Sequence, residues 1–164
     1  MARGVGGVKQ ARIRVSTECA SPMRSYEIAT EIPAQREVAW AALVRLAAWP
    51  EWNRLVPHAE GTVAEGGELF FRIRQADGRF HPHRATVIAL EAPARILLAA
   101  NVGFAWLLRM EHAFCFEDSP AGCRLVQRWE VSGLLAWLLW PFLEESFSRF
   151  ALLGEDLSAR VQGR

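Results

Sequence analysis

Two residues with usable chemistry, His112 and Gln127, stand on adjoining runs that alternate apolar and polar side chains. An imidazole titrates near neutrality and can act as a general acid or base, and a nearby amide can fix its tautomer or hold a ligand carbonyl. No carboxylate shares their side of either run, so the plainer alternative is a histidine hydrogen-bonded within a pocket wall. His81-Pro82-His83 sets two histidines on one side of an extended segment, formally half a zinc site with His58 or His112. No carboxylate or cysteine ligand accompanies them, and no metal is expected. The chain lacks a Ser/His/Asp signature, a phosphate-cradling glycine loop and an HExxH pattern, which removes hydrolase, kinase and dehydrogenase chemistry. Gly4-Val5-Gly6-Gly7 precedes any strand and has no such role. Lys9 is the only lysine, so no Schiff base can form beyond it. No cofactor is expected.

The elements that must position these groups follow from period. Arg24 to Ile32 alternates and reads as a strand ended by Pro33, and Ala34 to Ala48 has helical spacing up to Pro50. Trp49 to Asn53 forms a second short helical turn. Six strands follow, separated by turn signals: His58–Ala64, Glu68–Gln75, Phe80–Leu90, Arg95–Asn101, Leu107–Glu117 and Cys123–Val131. A long helix closes the chain, with Pro141 in its first turn and an apolar stripe of Leu143, Phe147, Phe150, Gly154, Leu157 and Val161. The fold class is α+β, a curved antiparallel sheet of about seven strands around one amphipathic C-terminal helix.

Strand parity then chooses the inward faces. Leu108, Met110, His112, Phe114 and Phe116 face the helix from one strand, and Cys123, Leu125, Gln127, Trp129 and Val131 from the next. Leu69, Phe71, Ile73 and Gln75 face in from a third. Phe80–Leu90 is ambiguous, because Arg84 and Thr86 share a face with Ile88 and Leu90 while His83 shares one with Ala85, Val87 and Ala89. Cys115 and Cys123 point to opposite faces and are not expected to bridge. The interior thus gathers Phe71, Phe114, Phe116, Trp129, Phe147 and Phe150 around His112, Gln127 and Gln75, which suits an apolar ligand cavity with a few orienting groups, or a filled core.

Composition agrees. With 164 residues, 51% hydrophobic and 23% charged, the chain is one globular domain, and a net charge of +1 gives no reason to propose nucleic acid. Three cysteines, Cys19, Cys115 and Cys123, without metal spacing fit a reducing compartment, and a cytoplasmic location is the expectation. Residues 1–22 carry Arg3, Lys9, Arg12 and Arg14 without an apolar core, so they are read as a disordered leader or an upstream extension. Residues 23–164 are the single domain. Leu134–Leu143 and Gly103–Leu108 are apolar beyond the needs of a connection, and Trp106, Trp137 and Trp140 are expected at a cavity rim, a dimer face or a transient membrane contact.

The segment Ala39-Trp40-Ala41-Ala42-Leu43-Val44-Arg45-Leu46-Ala47-Ala48-Trp49-Pro50-Glu51-Trp52-Asn53 resembles a motif near the start of the SRPBCC superfamily, which includes START lipid-transfer domains, polyketide cyclases and dehydrases, coenzyme Q carriers and heat-shock ATPase activators. Glu91-Ala92-Pro93-Ala94-Arg95 and His112-Ala113-Phe114-Cys115-Phe116 continue the likeness over residues 24–162. The aspartate usual after the first helix's leucines is Arg45 here. The resemblance implies the helix-grip fold and adds Trp40 and Trp52 to a ligand-binding set of Phe71, His112, Phe114, Gln127, Trp129, Phe147 and Phe150. It implies binding or transport of a hydrophobic small molecule (lipid, quinone or polyketide-like), in a monomer or homodimer. The alternatives are a cyclase or dehydratase using His112 with Gln127 or Arg84, and a protein-interaction module with a filled interior.

Overall fold

The computed structural model describes residues 23–163, so the expectations for residues 1–22, including Cys19, lie outside the described residues. Seven strands form one antiparallel sheet, β1 (Arg24–Ile32), β2 (His58–Gly61), β3 (Glu68–Arg74), β4 (Phe80–Glu91), β5 (Arg95–Asn101), β6 (Arg109–Ser119) and β7 (Gly122–Ser132). Their order across the sheet is β1-β7-β6-β5-β4-β3-β2, so the chain meanders from the second strand onward and the last strand closes on the first. Between β1 and β2 lie α1 (Arg36–Val44), a short 3-10 turn at Leu46–Ala48, and α2 (Trp49–Trp52).

The expected single long helix is two helices, α3 (Ala136–Ser148) and α4 (Ala151–Val161). Helix α3 begins earlier than Pro141 suggests, and the proline sits inside it. The interruption at Arg149 and Phe150 is a tightened turn: both keep right-handed helical backbone, and the Phe150 amide donates to the Phe147 carbonyl at 2.9 Å, three residues back.

The ambiguous parity of β4 has a local cause. The pairing of β4 with β5 shifts between Val87 and Ala89, a β-bulge. Before it Val87 is fully buried; after it Leu90 packs against the core while Ile88 is exposed. The inward face therefore changes from odd to even positions partway along the strand.

The turn after α2 is locked by polar groups that the apolar interior would otherwise penalise. The Asn53 Oδ1 accepts hydrogen bonds from the amides of Leu55 and Val56 at 3.1 and 2.8 Å, and the Trp49 indole donates to the Leu43 carbonyl at 2.8 Å. Buried Asp156 of α4 accepts from the Arg54 amide at 2.8 Å and from its guanidinium at 2.7 Å, which ties this turn to the terminal helix.

Helix α4 lies close on β1 because residue 154 has no side chain: a Cβ there would run into the Thr30 side chain. Helix propensity alone makes Gly→Ala favourable by about 1 kcal/mol in a helix interior. The close approach reverses the sign, so Gly154→Ala should destabilise by about 1–3 kcal/mol in urea denaturation. Adding Thr30→Ala should recover part of the loss; a stabilised single variant would contradict this packing.

Candidate functional site

The core divides into two clusters. One surrounds Ile32, Leu43, Trp49, Phe71, Leu98, Phe114 and Leu153; the other holds Tyr26, Leu108, Trp129, Val131, Trp140 and Phe147, and Phe150 packs against both. Between them lies a cavity of about 220 Å³ bounded by β3, β4, β5, β6, β7 and the α3–α4 segment.

Ring packing builds its deep wall. His112 stacks on Trp129 with centroids 4.1 Å apart, and Trp129 stacks in turn on Phe147 at 5.0 Å. Phe114 lies 4.0 Å from His112, and Phe150 meets both His112 and Trp129 edge-on at 5.4 and 5.2 Å. The β6–β7 register sets His112 directly opposite Trp129 and Phe114 opposite Gln127, which places one imidazole inside an aromatic layer.

That setting decides the protonation state. Burial disfavours the imidazolium and pushes the His112 pKa down to about 3, against a smaller upward pull from the Gln127 side chain. The neutral ring keeps one donor and one acceptor nitrogen. Its Nε2 is buried without a hydrogen-bond partner. Gln127 is fully buried; its Nε2 donates to the Phe150 carbonyl at 3.0 Å, and its Oε1 has no partner.

The structure brings Phe71, His112, Phe114, Trp129, Phe147 and Phe150 together around the cavity. Gln127 stands behind this lining as a tie to the α3–α4 break. Trp40 and Trp52 are placed elsewhere. Trp40 packs edge-on against Phe116 at 6.0 Å, and Trp52 packs on Trp49 and faces a shallow depression with Arg45 and Arg160. It is Trp49 that reaches the cavity, stacked on Phe71 at 5.9 Å. Cys123 is buried and Cys115 lies on the opposite, outer face, both as free thiols.

Trp106, Trp137 and Trp140 do not line the cavity. Trp106 and Trp137 are 66% and 67% exposed, whereas Trp140 is 7% exposed and packs on Phe147. Residues three apart on a helix differ by about 60° in direction, enough to straddle the boundary between core and surface. Phe104, Trp106, Leu134, Trp137, Leu138 and Phe142 form one exposed apolar end, since the Leu134 and Leu135 amides donate to the carbonyls of Trp106 and Leu107. Clustered apolar exposure of this kind marks interaction surfaces.

The sequence reading named Arg84 as a candidate and missed Arg149. Arg84 and Arg149 line the cavity, together with His81, His83 and Ser146. The β3–β4 register sets Arg84 opposite Phe70 and His83 opposite buried Phe71, so Arg84 borders the cavity from a position on the outer face, and the break after α3 hid Arg149.

A family model described as polyketide cyclase / dehydrase and lipid transport matches residues 23–155. Among solved structures, a Thalictrum norcoclaurine synthase point mutant in complex with a transition state analogue is 11% identical, with 89% of this chain and 98% of that one covered and a TM-score of 0.69. The di-domain ARO/CYC StfQ of the steffimycin biosynthetic pathway is 15% identical at a TM-score of 0.61, with 85% of this chain covering 49% of that one. An AHSA1-like protein from Aeromonas hydrophila is 16% identical, covers 85% of this chain and 92% of its own, and has a TM-score of 0.60. At such identities the likeness is one of fold. No curated protein matches the sequence.

The buried imidazole makes stability depend on pH. Free histidine has a pKa of about 6.5, so below that value the unfolded chain takes up a proton that the folded protein refuses. The stability linked to His112 is full above pH 6.5 and is lost as pH falls toward 3. His112→Phe removes this linkage. Relative to wild type, the variant should gain about 1 kcal/mol per pH unit between pH 6 and 4 in denaturant unfolding. Parallel profiles would show that the imidazole is cationic in the folded protein.

Proposed function

Because the chain belongs to the polyketide cyclase/dehydrase and lipid transport family, we propose that it binds a hydrophobic, ring-containing small molecule in the cavity between the sheet and the α3–α4 segment. The cavity wall carries the reading: an aromatic layer of Phe71, Phe114, Trp129, Phe147 and Phe150 that includes one neutral imidazole. Size narrows the class. An apolar cavity of about 150 Å³ holds a benzene-sized guest, so about 220 Å³ suits a ligand of one or two rings, or one end of a longer molecule, and not both chains of a phospholipid.

A cyclase or dehydratase is the second reading, favoured by the family description and by the fold shared with aromatase/cyclase di-domains, of which the chain spans about half. His112, with a pKa of about 3, is a weak base and is not an imidazolium at neutral pH. Such chemistry would proceed by holding a flexible substrate in its ring-closing geometry instead of by proton transfer from this residue. The protein-interaction alternative expects a filled interior and has less support.

Titration with the neutral dye N-phenyl-1-naphthylamine tests the reading. Saturable one-to-one binding is expected. Ala100→Trp, which places a large ring in the cavity, should weaken it at least about tenfold while the protein still melts cooperatively. Unchanged affinity in that variant would place the dye outside the cavity and remove the reading.

A further inference from the structure

The cavity is bordered by residues that a space confined to the inner face of the sheet would not reach. On β4, Ala85 faces inward in line with buried Val87 while Arg84 lies on the outer face, yet both border the cavity. On β5, Leu98 and Ala100 share the inward parity of Ile96, and Ala99, of the opposite parity, borders it too. Residues of both faces border one space when it runs past the edge of the strands that carry them.

Strand pairing supplies that edge. The β4–β5 register runs from Glu91–Arg95 to Thr86–Ala99 and stops there, although β4 extends back to Phe80 and β5 on to Asn101. Each strand keeps its other neighbour over this stretch: Phe80 to Ala85 stay paired with β3, and Ala100 and Asn101 with β6. The two halves of the sheet therefore part at Ala85 and Ala100. Exposed His81, His83 and Arg84 bring solvent to the β4 side of the gap.

Hydrogen-bond direction agrees. The Val87 amide donates to the Gly67 carbonyl at 2.9 Å, and the Gln75 amide to the Arg79 carbonyl at 2.7 Å. Odd positions from Arg79 to Val87 thus turn their polar groups toward β3, and even positions turn theirs toward β5. Pro82 is an even position on a strand that lies inside the sheet order. Proline in a sheet avoids positions where a neighbour needs its missing N–H, and here that side is the one from which β5 has departed.

Resting on the cavity as a ligand site, we propose that the parting of β4 and β5 is the portal through which the ligand enters and leaves, and that Ala85 and Ala100 set its width. Each alanine stands at one lip of the gap and also lines the cavity, so a larger side chain at either position would narrow the passage.

Amide hydrogen exchange tests the parting itself and needs no variant. The Arg84 amide, turned toward the gap, should exchange at least about a hundredfold faster than the Val87 amide, which is bonded to Gly67. Stopped-flow mixing with N-phenyl-1-naphthylamine tests the passage. Ala85→Leu should slow association and dissociation together, each at least about fivefold, because a narrowed entrance raises the barrier in both directions. Ala100→Leu should act likewise and serves if Ala85→Leu does not fold. Ser146→Trp, which crowds the cavity from the α3 side, should slow association less than either. An Arg84 amide as protected as that of Val87, association unchanged in the alanine variants, or association slowed most by Ser146→Trp would each overturn the proposal. If the dye fails to bind wild type, the cavity reading falls and the portal with it; if it binds and one of those results is found, only the portal falls.

Discussion

An amide sealed inside an apolar interior must spend its hydrogen bonds on whatever polar group the fold can bring to it. Gln127, fully buried on β7, reaches the Phe150 carbonyl across the space between sheet and helix. That carbonyl belongs to the tightened turn where α3 gives way to α4, and it also accepts from the Leu153 amide at 3.1 Å. One hydrogen bond thus fixes where the terminal helical segment breaks relative to the sheet. The break turns the Phe150 ring onto His112 and Trp129 and brings Arg149 into the cavity lining.

From this constraint the two ends of the cavity acquire different chemistry. The deep end is an aromatic stack into which a neutral imidazole is sealed, so it offers apolar area. The open end carries exposed His81, His83 and Ser146 with Arg149 from the helix break. No aspartate or glutamate lines the cavity among the described residues.

How legible this was in the sequence depended on whether a period survived along each element. Strands β6 and β7 pair without a bulge over their whole length, and parity correctly separated His112, Phe114, Gln127 and Trp129 from Arg109, Glu111, Cys115 and Arg128. On β4 the bulge between Val87 and Ala89 switches the inward face, so no single parity could describe the strand. The break after α3 has no glycine or proline to announce it. Its partner, Gln127, lies 23 residues earlier in sequence, so the cause is tertiary. Pro141 misled for a local reason: proline favours a first turn, but here it sits beyond one turn of α3, and the carbonyl its missing amide would have bonded belongs to exposed Trp137. The motif tryptophans Trp40 and Trp52 carry packing of α1 and α2, and the adjacent Trp49 is the one that borders the cavity.

The central claim is that His112 is a neutral ring bordering the ligand space. Nitrogen-15 NMR of the imidazole at pH 5, with and without N-phenyl-1-naphthylamine, tests it most directly. An ordinary histidine is mostly cationic at that pH. The account predicts one protonated and one unprotonated ring nitrogen on His112, with the resonances of this ring shifting on dye addition more than those of exposed His58. Two protonated nitrogens at pH 5, or a His112 spectrum indifferent to the dye, would contradict it.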